Sequence, residues 1–138
     1  MRIMAIDYGD AHTGIAISDP TGLLAGFTTV INSRRQEVVV EQVTLLAKEH
    51  GAEELVLGHP VNMDGTLGPR SEKAKAMKVL LEEATALPVV LWDERRTTID
   101  AHNILFNSGK NAKQRKKVVD AVAASLILEG YLTFKKSR

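Results

Sequence analysis

Cysteine is absent from the 138-residue chain. That excludes disulfide scaffolds, zinc–thiolate sites and iron–sulfur clusters, and it suits a reducing compartment. Aromatic residues are scarce, with one Trp, two Tyr and three Phe, which argues against single-strand readers built on stacked bases. No apolar run approaches the length of a bilayer span. The opening residues Met1 to Ile6 meet an acid at Asp7 before a signal-peptide apolar region develops. The expectation is a soluble, cytoplasmic protein with no membrane partner. No internal repeat, low-complexity tract or linker divides the sequence. One domain over residues 1–138 is expected, able to bury about two-thirds of the surface its unfolded chain exposes.

An excess of one charge is also missing, since the net charge is only +1. The charges are nevertheless uneven. Residues 1–94 hold 8 Lys/Arg against 14 Asp/Glu, whereas residues 95–138 hold 10 against 3. Such asymmetry suits one face built for a polyanion and carboxylates gathered elsewhere, although two solvated faces of opposite sign would look the same.

What is present reads as strand, turn and helix in a definite order. Arg2 to Asp7 is a β-prone run ending in the turn signal Asp7-Tyr8-Gly9-Asp10. Gly14 to Ser18 and Gly26 to Ile31 read as two further strands, and the short turns between the three predict an antiparallel meander. Ser33, three residues before Gln36, has the capping-box spacing for a helix that carries Val39, Val43, Leu46 and Ala47 and stops at Gly51. Glu54 to Gly58 is an apolar strand, followed by a polar loop from His59 to Gly68. Pro69 suits the first turn of a helix through Ala74, Met77, Leu80 and Leu81. Val89 to Trp92 is a buried-type strand, Thr98 to Phe106 a helix, Asn107 to Lys117 a mobile basic stretch, and Val118 to Phe134 a closing helix. The whole predicts an α/β fold: a five-stranded mixed sheet, three strands as a meander and two parallel, with helices on both faces.

Three acidic positions stand where a surface residue is not expected. Asp7 ends one apolar strand, Asp93 and Glu94 end another, and Asp120 lies among Val118, Val119, Ala121, Val122, Ala123 and Ala124. A carboxylate in such company is costly unless a positive group meets it, and no Lys or Arg is an evident partner for all three sites. A divalent cation satisfies them together. Oxygen ligands without a His/Cys cluster favour Mg²⁺ or Mn²⁺ over zinc, and two such ions roughly 4 Å apart suit phosphodiester hydrolysis. The small residues around Asp120 allow its helix close to the sheet. His12, His50, His59 and His102 show no metal-ligand spacing, and none is assigned to catalysis.

Gly9 and Gly14 flank a tight connection after Asp7 where a phosphate or metal can approach the backbone. In the strand-to-helix loop, Asn62, Arg70 and Ser71 are the candidate substrate contacts. Arg95 and Arg96, next to Glu94, suit scissile-strand phosphates. The run Lys110, Lys113, Arg115, Lys116 and Lys117 suits a backbone clamp with salt-sensitive binding.

These residues resemble the YqgF family, also called RuvX or Holliday-junction-resolvase-like, over nearly the whole chain. The resemblance rests on Ala5-Ile6-Asp7-Tyr8-Gly9 with Gly14 to Asp19, on Gly58 to Thr66 with Gly68-Pro69, on Trp92 to Thr98, and on Lys117 to Ala124 with Leu126 to Leu132. It implies an RNase H-like fold and a Mg²⁺- or Mn²⁺-dependent nuclease with catalytic, metal-binding carboxylates at Asp7, Glu94 and Asp120. The implied role is processing the 5′ end of the 16S ribosomal RNA precursor. The alternative is Holliday junction resolution, by analogy with RuvC. Asp93 points the other way from Glu94 by strand alternation and is expected to support the metal ligands from behind or to be structural.

Two positions depart from the family's pattern. Ala11 and His12 stand where many members carry Arg or Lys, which weakens a phosphate contact there. Relative to RuvC the strand ending at Gly58 carries no acid, a difference that counts against junction resolution. The expected partner is nucleic acid, structured RNA or branched DNA, and the expected state is a monomer or weak homodimer; RuvC-like junction cutting would require a dimer. The alternatives are a non-catalytic nucleic-acid-binding module, and an actin-like phosphotransferase, which would need a second domain.

Overall fold

Strand β1 (Arg2–Asp7) is apolar on both of its faces, and that property sets the architecture. The computed structural model describes residues 1–21, 25–60, 67–93 and 112–136, with backbone alone for 112–120 and 136. After β1 come β2 (His12–Ser18), β3 (Ala25–Asn32), α1 (Gln36–His50), β4 (Ala52–His59), α2 (Pro69–Thr85), β5 (Val89–Asp93) and α3 (Ala112–Lys136). The sheet order is β3-β2-β1-β4-β5. β1, β2 and β3 pair antiparallel, and β4 lies parallel to both β1 and β5. The expected mixed sheet is therefore present.

A strand in the middle of such a sheet must be covered twice, because successive side chains point to opposite faces. Met4 and Ile6 of β1 join Ile15, Ile17, Leu55 and Leu57 in a core under α1 and α2. Ile3 and Ala5 join Ala16, Val56 and Trp92 under Ala124, Ile127, Leu128 and Tyr131 of α3. Leu57 is fully buried, and truncating it to Ala should cost about 2–5 kcal/mol. The helices thus lie on both faces, as the sequence predicts.

Three local expectations are corrected. Ser33 does not cap α1: its hydroxyl accepts the backbone N–H of Arg35 at 3.1 Å, closing a turn two residues long, while Arg35 is the N-cap without a side-chain bond and Gln36 is already helical. Glu37 in the first turn is held below the usual carboxylate range by its backbone hydrogen bond and then by Arg35, whose Nη2 lies 2.7 Å away. β2 begins at His12, two residues earlier than read, and the basic residues from Ala112 to Lys117 belong to α3. Lys, Arg and Gln are strong helix formers, which the lack of an apolar stripe there concealed. Gly51 does end α1, at φ 68°. The helix predicted over Thr98 to Phe106 lies outside the described residues.

Candidate active site

The three parallel strands end together. Ile6 is in register with Leu57, Leu57 with Leu91, and His59 with Asp93, so Asp7, His59 and Asp93 mark one carboxyl edge of the sheet. Asp7 is half-buried as the last residue of β1 and faces Gly14 across the meander. It follows Ile3 and Ala5 in the alternation, which assigns it to the α3 face. Among the described residues no Lys or Arg forms an ion pair with it. A half-buried carboxylate without a fixed cation fits a metal ligand, since burial penalises an unpaired charge.

The turn after Asp7 is shaped by Gly9. A Cβ there would collide with the carbonyl oxygen of His12, so this glycine has a packing reason of its own, apart from any substrate contact. At the same edge His12 Nδ1 lies 2.7 Å from Asn32 Oδ1. On the α1/α2 face, His59 Nε2 lies 2.6 Å from the hydroxyl of Ser71, and Ser71 is fully buried in the first turn of α2. Ser71, a candidate substrate contact by sequence, is thus sealed from solvent and bonded to His59. Arg70 is exposed, and Lys73 Nζ lies 3.3 Å from Asp10 Oδ1. His59, Asp10 and Lys73 were not singled out by sequence. Their pairings span 12 and 63 residues, and no local spacing signals them.

The direction of α3 is fixed at its far end. The hydroxyl of Tyr131 donates to Glu54, and Lys135 Nζ lies 3.4 Å from the same carboxylate. Glu54 is in register with Ile3, near the start of β4. The N-terminal part of α3 consequently runs back toward the edge that carries Asp7.

A family model described as RuvX, Holliday junction resolvase, matches residues 1–134. The chain belongs to the RuvX family. A relative from Halothermothrix orenii is 43% identical over 98% of this chain and 96% of its own length. One from Listeria monocytogenes is 44% identical over 96% of this chain and 97% of its own. Both bear the name "Putative pre-16S rRNA nuclease". Among solved structures, Thermus thermophilus RuvC in complex with a Holliday junction substrate superposes with TM-score 0.65, covering 99% of this chain and 96% of that one at 13% identity. At that identity the likeness shows the fold alone, and the fold is RNase H-like.

Of the RuvX carboxylates expected from sequence, only Asp7 has a described side chain. Glu94 lies outside the described residues, as do Arg95 and Asn62. Asp120, Lys113, Arg115 and Lys116 fall in α3, where the backbone alone is described. Among the described residues no group of three or more His, Asp or Glu is placed to hold a metal. No described helix is long and apolar enough to cross a membrane.

Proposed function

We propose that this RuvX protein is a cytoplasmic, Mg²⁺- or Mn²⁺-dependent nuclease that hydrolyses phosphodiester bonds at Asp7, Glu94 and Asp120. Its substrate is the 5′ region of the 16S ribosomal RNA precursor, in line with the names its relatives carry.

The observation that supports this reading is the place of Asp7, half-buried at the carboxyl edge of the sheet on the α3 side. Asp7 alternates with Ile3 and Ala5 on the α3 side of the sheet. Val90 and Trp92 of β5 face the same side, and Glu94 follows Trp92 by two residues in the sequence. Ala124, Ile127, Leu128 and Tyr131 form the stripe of α3 that covers that side, and Asp120 lies four residues before Ala124 in the same helix.

Lengths agree as well. Asp120 precedes Tyr131 by a helical rise of about 16 Å, and four strand residues, about 13 Å, separate Ile3, the register partner of Glu54, from Asp7. Brought together, the three carboxylates would supply the hard oxygen set such cations prefer.

When bound, the cation would activate water and stabilise the leaving oxygen. The protein's own part is to hold Asp7 rigidly at a strand end, to keep the turn at Gly9 close to the backbone, and to present cationic side chains to the phosphates. Lys113, Arg115 and Lys116 in the first turns of α3, with Arg95 and Arg70, are the residues for that grip, and Asn62 and Gly9 suit contacts from the loops.

The test is cleavage of a 16S precursor 5′ fragment and of a four-way DNA junction, with and without Mg²⁺ or Mn²⁺. Metal-dependent cutting of the RNA that disappears in Asp7→Asn supports the proposal. Cutting of the junction alone reassigns the substrate. Binding of both without cutting by the unsubstituted protein overturns the nuclease reading in favour of a binding module.

A further inference from the structure

On the face of the sheet away from α3, at the turn that follows Asp7, lies a cleft lined by Tyr8, Asp10, Pro60, Arg70, Lys73 and Ala74. Its volume is about 10 Å³, room for a single water-sized group, so neither a base nor a sugar enters. A phosphate oxygen does fit. Arg70 and Lys73 are three residues apart at the start of α2 and therefore share one side of that helix.

The charges in this cleft are unbalanced. Lys73 is paired with Asp10 at 3.3 Å, with side chains 60% and 71% exposed. Pairs that open to water are held by about 0–1 kcal/mol, so a stronger anion exchanges into them readily. Arg70 has no ion-pair partner among the described residues. Glu72, the acid in the first turn of α2, is engaged by Lys75 at 3.6 Å. Two cations thus face one carboxylate, next to the residue that follows Asp7.

We propose that Arg70 and Lys73 grip a backbone phosphate of the nucleic-acid strand lying at Asp7, and that Asp10 occupies Lys73 until that phosphate displaces it. The inference rests on the nucleic-acid reading above and adds a specific phosphate subsite with an internal competitor. Asp10 lowers affinity by the amount of the pair that must be broken. The strand then crosses the carboxyl edge of the sheet, with the α2 cations on one side of Asp7 and helix α3 on the other.

Binding of a fluorescent four-way DNA junction and of an RNA hairpin, measured by anisotropy in EDTA across a salt series, tests this without any need for catalysis. Lys73→Ala and Arg70→Ala should each weaken both probes alike and reduce the slope of log K against log salt by about 1, while Lys73→Arg keeps the slope. Asp10→Asn should tighten binding in the parent protein and have no effect in Lys73→Ala. An unchanged slope in both alanine variants overturns the subsite, and equal tightening by Asp10→Asn in both backgrounds overturns the competitor role. Should the parent bind and cut while the α2 variants bind unchanged, this inference fails and the nuclease reading stands. Failure of the parent to bind either probe sinks both.

Discussion

The imidazole of His59 and the hydroxyl of Ser71 lie 2.6 Å apart, and the serine is sealed from solvent. The bond ties the carboxyl end of β4 to the first turn of α2, on either side of the loop that carries Asn62. Ser71→Ala removes the tie and leaves His59 short of a partner, so it should destabilise by about 1 kcal/mol. A urea titration would read the loss as a lower midpoint at unchanged slope. A variant that keeps its midpoint but binds nucleic acid more weakly would instead make Ser71 a direct contact.

Gly9 offers a sharper structural test of the site. An added methyl meets the main chain of His12 rather than a movable side chain, so the turn itself must shift. Gly9→Ala should cost about 1–3 kcal/mol, and because Asp7 stands two residues away the cleavage rate should fall as well. Gly51 is a useful control. Its φ of 68° disfavours alanine, but nothing lies within 4 Å of the site of its Cβ. Gly51→Ala should lose about 1 kcal/mol in a melt and leave cleavage per folded molecule unchanged.

At the opposite end of α3, Tyr131 is clamped to Glu54 and flanked by Trp92 and Phe134, whose ring centroids lie 5.8 and 6.4 Å away. Tyr131→Phe keeps the rings and loses a hydrogen bond to a carboxylate, worth about 1.5 kcal/mol or more. Lys135 still meets Glu54, which holds the cost near that lower figure. The Ala124 to Leu128 stripe continues to dock the helix, so metal-dependent cutting at permissive temperature should change less than about threefold. Thermal melts beside initial rates would separate the two effects.

Much of this was legible in the sequence, for a physical reason. Where burial is two-sided, as at Met4 and Ile6 against Ile3 and Ala5, apolar runs announce central strands and the turns between them announce the meander. Local competition was less legible. Ser33 has the spacing of a cap, yet its hydroxyl is spent on Arg35 before the helix starts. The residues of α3 from Ala112 to Lys117 form helix through propensity rather than an apolar stripe, and a periodicity search passes over them. The candidate site divides the same way. Asp7 stood out as an acid closing an apolar strand, whereas the partners of His59 and Lys73 are set by how α2 docks on the sheet.

Asp7 carries the last prediction, because its role trades stability for function. Half-buried and without a cation among the described residues, its carboxylate has no compensating charge in the metal-free fold. Asp7→Asn removes that charge at nearly constant shape and should raise the melting temperature in EDTA by a few degrees, equivalent to about 1 kcal/mol. Mg²⁺ should act in the opposite sense on the two proteins' difference. In the parent, free metal at ten times its dissociation constant stabilises by about 1.4 kcal/mol, and the variant, short of one ligand, should show little of that gain. Thermal melts of both proteins with EDTA and with Mg²⁺ give all four values. A variant that melts lower in EDTA and still responds fully to Mg²⁺ would make Asp7 a structural residue and move the metal elsewhere.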